Sequence, residues 1–265
     1  MSSIGRASLS TRATTRVCVG CGEVIKAESR YCPHCGAYLN PFQDRMRRIR
    51  NWREKWRAVR SVFLFYSAIL ATTVPLYWIP DDKEALGMII VSLVDVLIIV
   101  GYGYISRVEL GKLFRVGSQT AKTVFTGVFL TCSLILLNLA YHLLLLPALL
   151  DLKIPSIIET FLKGGYGLGI ILLFICVMPA LWEEIAFRGL IQSKLAIAIG
   201  KKEAWLLTAV MFTIIHVAVL SWGVLLLLGL FLGWLRNRTG SLIPGMIIHF
   251  LYNFVVVILE FCFGL

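Results

Sequence analysis

The sequence predicts an all-α fold: a polytopic membrane helix bundle of about seven or eight transmembrane helices behind a small polar N-terminal module. Three observations carry this. Of 265 residues, 58% are hydrophobic and only 15% are charged, with a mean hydropathy of +0.81; a soluble domain carries roughly 25% charged residues. Long apolar runs fill the chain from residue 61 onwards. The basic residues crowd just before them, eight Lys/Arg falling between Arg45 and Arg60.

Residues 1–16 are rich in Ser, Thr and Arg and hold no acid. They lack the apolar core of a secretory signal. A transit peptide shares this composition, but the reading adopted is a disordered tail.

Residues 17–40 carry Cys18-Val-Gly-Cys21-Gly and Cys32-Pro-His-Cys35-Gly. Four thiolates at this spacing suit a closed tetrahedral structural Zn²⁺ site, so the segment reads as a zinc ribbon. Two disulfides are the alternative. The ten residues between the pairs are long enough for one hairpin. So small a segment has little core, and metal binding would supply most of its folding energy. Thiolate ligation implies a reducing compartment and hence a cytoplasmic ribbon. His34 reads as a solvated neighbour of the ligands. Cys132, Cys176 and Cys262 lie in apolar runs and read as small hydrophobes.

Residues 41–60 form a basic juxtamembrane linker turning into a helix, with Trp52 and Trp56 as interface anchors. Its charge, and most of the net +11, is better matched to anionic lipid than to nucleic acid. Apolar runs follow at 61–79, 85–105, 121–149, 166–179, 203–219, 222–235 and 241–265. Together they make a transmembrane bundle over 61–265, in a multi-pass protein of the plasma membrane if the source is prokaryotic. Seven spans would put Lys201, Lys202, Arg236 and Arg238 on the side of the N-terminus, as the positive-inside rule favours. That reading ends a span at Glu183 and sets it far from His216 in depth. Dividing the stretch, with one span ending near Pro179 and another running from Trp182 to Ile199, brings them level. This eight-span reading, with a cytoplasmic C-terminus, is the one adopted.

The chemistry lies in three clusters: Glu183-Glu184-Ile-Ala-Phe-Arg188, Phe212-Thr-Ile-Ile-His216 and His249-Phe-Leu-Tyr-Asn253. Ionisable groups at bilayer depth are expensive unless paired, wetted or functional. Helix neighbours point about 100° apart, so Glu183 and Glu184 cannot both face one site. Glu184 and Arg188 are four apart and can pair, which leaves Glu183 to face the site as a general base. His216 could share the activated water. His249 and Asn253, also four apart, can aim donors at one oxyanion. Base, water-orienting imidazole and two donors form a set for peptide hydrolysis without a Ser or Cys nucleophile.

These clusters resemble the CAAX prenyl endopeptidases and their bacterial relatives, the CPBP or abortive-infection intramembrane proteases. The signature of that family is Glu-Glu-x-x-x-Arg, then Phe-x-x-x-His, then His-x-x-x-Asn. All three are intact and in order here, and the resemblance covers about 162–265. It implies a bundle of about eight helices with a cavity open to the cytoplasm, and a glutamate-type endopeptidase. Glu183 and His216 would activate water, and His249 and Asn253 would form the oxyanion hole. Glu184, Arg188 and Phe212 would support the site, with no cofactor in it. The substrate would be a protein or lipidated peptide cut near its C-terminus or a membrane-proximal part. The ribbon lies outside the resemblance and would serve a partner of its own.

Two other readings remain. Glu183, Glu184, His216 and His249 are also metal-ligand types, so a zinc metalloprotease is one, although no His-Glu-x-x-His helix is present. A non-catalytic membrane scaffold or immunity protein using the ribbon is the other. A proton-coupled transporter using Asp95 and Glu260 would call for an inverted repeat, and none is visible. Both acids read instead as helix-to-helix hydrogen-bond partners, and Asn138 and His142 as packing groups. Gly164, Gly165, Gly167 and Gly169 mark close packing or a flexible segment.

Overall fold

The computed structural model describes residues 15–18, 20–26, 29–38, 41–106, 110–115, 121–141, 144, 156–217 and 219–263. The tail expected at 1–16 lies outside these up to residue 14, as do His142 and Pro147. The chain divides into two compact units, Met1–Trp56 and Arg57–Leu265.

In the first unit β1 (Thr15–Val17) pairs antiparallel with β2 (Val24–Lys26), so Thr15 and Arg16 are strand rather than tail. A bridge between Tyr31 and Tyr38 repeats the arrangement around the second cysteine pair. The sequence reading put one hairpin between the pairs; instead each pair closes its own. Cys18 N–H donates to Glu23 O (2.8 Å) and Gly22 N–H to Cys18 O (2.9 Å), matched by Cys32 to Ala37 and Gly36 to Cys32, both 2.9 Å. The reason is local. Gly22 and Gly36 take φ of +80° and +71°, a left-handed conformation that reverses the chain inside each Cys-x-x-Cys-Gly turn.

Helix α1 (Pro41–Thr73) is continuous, so the expected basic linker and first span are one helix. It is followed by α2 (Glu84–Ser106), α3 (Leu110–Leu113), α4 (Ala121–Ala140) and α5 (Ile157–Lys163). Next come the long run α6 (Leu168–Ile199), α7 (Lys201–Ile215), α8 (Trp222–Thr239) and α9 (Ile243–Phe263). Among the described residues five helices are long and apolar enough to cross a membrane: Ile49–Leu76, Asp81–Ser106, Leu168–Ile199, Val219–Thr239 and Ile243–Cys262. Phe125–Ala140 is a shorter apolar helix. The protein is therefore an integral membrane protein built as an all-α bundle.

The expected break between Pro179 and Trp182 is absent. The run Leu168–Ile199 stays helical by switching from α to π geometry over Leu172–Val177 and again over Glu184–Ile191. Pro179 removes one N–H from the ladder, and the wider π turn before it absorbs the mismatch without ending the helix. The depth problem that suggested the break is solved differently. Gly200, at φ +100°, turns the chain between α6 and α7. Glu183 precedes it by 17 residues and His216 follows it by 16, so at about 1.5 Å per residue both lie roughly 25 Å from the turn.

Hydrogen bonds define which loops share an end of the bundle. Lys194 Nζ donates to Ser106 O (2.7 Å), Arg236 to Ser193 Oγ (2.9 Å), and Leu242 N–H to Leu113 O (2.7 Å). The opposite end is tied by Tyr141 to the Leu220 carbonyl and by Ser156 to Glu260. Thr72 of α1 meets Asp95 of α2 at 2.6 Å, so both apolar-run acids make inter-helix contacts.

Lipid is as apolar as a leucine core, so close packing rather than water exclusion holds such helices together. Gly229 and Gly233 show it on α8. A Cβ on Gly229 would lie 3.3 Å from the Ala209 backbone, and one on Gly233 would lie 2.6 Å from Trp205 Cδ1. Around this contact Phe187, Leu190, Ile191, Phe212 and Ile215 form a buried core with Val62, Phe65 and Ile69 of α1.

Candidate active site

The three motif clusters, on α6, the end of α7 and α9, meet at one place. Glu184 and Arg188 are wholly buried, at 1% and 0% exposure. Arg188 NH1 donates to Glu184 Oε1 (2.9 Å), its NH2 to Gly229 O (3.2 Å), and its guanidinium lies 4.3 Å from the Phe212 ring centre. Two hydrogen bonds and a ring face therefore hold this cation in a place with no water to replace them.

Phe212 connects the parts. Besides Arg188, its ring packs on His216 (4.7 Å between centroids) and His249 (6.0 Å). Its carbonyl accepts from His216 Nδ1 at 2.7 Å. That carbonyl is within reach because the last turn of α7 tightens: the His216 N–H goes to Thr213 O (3.3 Å). A carbonyl only accepts, so Nδ1 carries the hydrogen and Nε2 is the nitrogen turned towards Glu183. Val217, next in the chain, takes a φ of +50°.

His249, nearly fully buried, turns Nδ1 to Glu184 Oε1 (3.1 Å) and Nε2 towards Glu183. Glu183 Oε2 then lies 3.9 Å from His216 Nε2 and 3.9 Å from His249 Nε2. This oxygen has no hydrogen-bond partner although it is buried. Asn253 donates from Nδ2 to the Ile175 carbonyl (2.9 Å). Pro179 stands four residues after Ile175 and has no N–H to offer it. Six of the seven residues singled out in the three motifs are thus linked in one cluster, with Glu183 partly exposed and Glu184 interior, while Asn253, one turn beyond His249 on α9, contacts Ile175 of α6.

The sequence reading missed the backbone contributors, the carbonyls of Phe212, Ile175 and Gly229. Pro179 in a helical run and the Gly229-x-x-x-Gly233 spacing were the available signals. An apolar groove of about 560 Å³ between α4 and α8, lined by Leu137, Tyr141, Leu220, Val224 and Leu227 among others, holds none of the motif residues.

In the N-terminal unit the sulfurs of Cys18, Cys21, Cys32 and Cys35 all lie within 4.8 Å of one another. Cys18 to Cys35 is 3.7 Å and Cys21 to Cys32 is 3.6 Å. These are not disulfide distances. A tetrahedron with metal–sulfur bonds of about 2.3 Å has edges of about 3.8 Å, so the four sulfurs fit a metal ion. The amides of Cys21 and Gly20 bring the Cys18 thiol down to about 6. The Glu23 amide pulls Cys21 down too, but burial and the three neighbouring sulfurs outweigh it and push it up to about 12. Four thiolates so close need a cation among them.

Fold and site together define a polytopic membrane protein with a cluster of charged and polar side chains inside its helices. The family model described as Type II CAAX prenyl endopeptidase Rce1-like matches residues 166–255, about a third of the chain. The family implies a peptidase of the CAAX type. No curated protein and no solved structure matches the chain.

Proposed function

We propose that the chain is an intramembrane glutamate-type endopeptidase, with Glu183, His216, His249 and Asn253 as its catalytic residues. The observation that carries this is the convergence of both Nε2 atoms on the partnerless Glu183 Oε2, each at 3.9 Å. That spacing is too long for a direct hydrogen bond and suits a shared water. Glu183 takes a proton from this water while the His216 lone pair orients it, and the oxygen attacks the scissile carbonyl. His249 serves as an imidazolium, its Nδ1–H on Glu184 and its Nε2–H, with the second Asn253 N–H, meeting the oxyanion. Glu183 then returns the proton to the leaving nitrogen. Glu184 and Arg188 fix His249 from behind, and Phe212 supports both imidazoles. The substrate is a protein or lipidated peptide cut near its C-terminus or a membrane-proximal part.

In this reading the ribbon (17–40) binds Zn²⁺, which folds it, and serves a partner of its own. The 41–60 stretch is its tether, 61–265 the bundle and 162–265 the protease core. The ribbon faces the cytoplasm, in the plasma membrane if the source is prokaryotic.

The test compares the full chain with Glu183→Gln in liposomes, on prenylated and unprenylated peptides. Gln keeps size and hydrogen bonding but cannot act as the base. Cleavage should vanish in the variant; turnover retained within tenfold would sink the mechanism. Metal content discriminates the zinc metalloprotease, which requires a second zinc per chain that departs when His216 and His249 are replaced.

A further inference from the structure

Among the described residues the two ends of the bundle unit differ in charge, one strongly basic and the other near neutral. At the end joined by the Lys194–Ser106, Arg236–Ser193 and Leu242–Leu113 bonds, Arg57, Arg60, Arg115, Lys201, Lys202 and Arg238 are exposed. Glu203 is an exposed acid beside them. At the other end Asp81, Asp82 and Glu159 are exposed with Lys83 and Lys163, and Lys163 is paired with Glu159 at 2.9 Å.

Folding does not account for the basic end. Lys194 and Arg236 turn inward to protein acceptors, but Lys201 and Lys202 project from the first turn of α7. There the helix dipole disfavours a cation, and Gly200 offers no side-chain cap. Glu203 in the same turn answers one of the two lysines and leaves this corner net positive. The surface also continues into apolar flanks, with Phe63, Leu64, Ile197, Leu206, Leu207 and Val210 exposed on the adjoining helices. Bilayer covers these flanks, so the cations stand at headgroup level. A second copy docked through this face would set like charges against each other.

We propose that this basic end is a docking surface for anionic phospholipid headgroups, with Lys201, Lys202 and Arg238 taking their phosphate oxygens. The proposal is independent of the peptidase reading. It predicts that the surface seats phosphate-bearing lipids of net negative charge and that salt weakens the contact.

The experiment places the full chain in nanodiscs of phosphatidylcholine alone or mixed with phosphatidylglycerol. Native mass spectrometry then counts the lipids kept on release. Phosphatidylglycerol should be retained several-fold over its share of the mixture, and less so as salt rises. The variant Lys201→Gln/Lys202→Gln/Arg238→Gln should lose most of that preference, while Lys83→Gln at the other end should keep it. Retention in proportion to the mixture would overturn the proposal, as would equal losses from variants at the two ends, or a dimer without lipid preference. The wild-type comparison decides the matter even where the triple variant fails to fold.

Discussion

Asn253 donates to the Ile175 carbonyl at 2.9 Å, closing an acceptor that Pro179 cannot serve. One side chain of the candidate site therefore also repairs the helix that carries Glu183. Asn253→Ala should cost about 1 kcal/mol, because a part-buried carbonyl loses its donor, and should abolish cleavage. Pro179→Ala restores an N–H at the right position. The double variant should therefore regain most of the melting temperature lost by Asn253→Ala without regaining turnover. Recovery of both together would make Asn253 a structural residue only.

Arg188 is tied to Glu184, Gly229 and Phe212 with no exposed atom to spare. Arg188→Leu leaves the Glu184 carboxylate buried without its counter-charge, and should cost about 3–5 kcal/mol. Arg188→Lys should fall short as well, since an ammonium cannot reproduce the two-pronged contact and the ring stacking. The informative variant is Arg188→Leu with Glu184→Gln, which removes both charges. Thermal unfolding should find it more stable than Arg188→Leu alone. The opposite order would show that charge burial is not what the pair manages.

Hydropathy, cysteine spacing and the three motifs made much of the fold and site legible in the sequence. The Glu184–Arg188 pairing and the outward turn of Glu183 followed from helix geometry alone. What was misjudged is instructive. The division near Pro179 was made to bring Glu183 and His216 level; the π turns let the helix run on through the proline, which local composition does not announce. With the helix unbroken, Gly200 sets Glu183 and His216 level by simple counting, and no extra span is needed. The carbonyls of Phe212, Ile175 and Gly229 were invisible for a different reason. Backbone acceptors become available only where a helix tightens, widens or approaches a glycine, and side-chain identity does not encode that. The single hairpin expected in the ribbon failed because each Cys-x-x-Cys-Gly turn reverses the chain by itself.

Val217 holds a φ of +50° directly after His216. A β-branched residue is strained in that region, and glycine is at ease there. Val217→Gly should therefore stabilise the protein by about 1 kcal/mol, the low end of the cost of such strain. Removing the strain also loosens the turn that ends α7 beneath His216. Turnover should accordingly fall while the melting temperature rises. A variant that is both more stable and equally active would show that the strained turn plays no part in holding His216.

The ribbon should behave as a folding unit governed by metal. Its buried core among the described residues is Cys18, Ile25 and Cys32 with Ala37 packed alongside, too little apolar surface to fold so short a segment unaided. One zinc per chain should be found by elemental analysis of the purified protein. Cys18→Ser with Cys32→Ser should abolish it, and a strong chelator should expose the ribbon to protease. Helical content should be unchanged by either treatment, because the bundle draws its stability from packing within the membrane. A ribbon that resists protease after complete zinc removal would contradict metal-dependent folding, and loss of helical signal would show that the bundle relies on it.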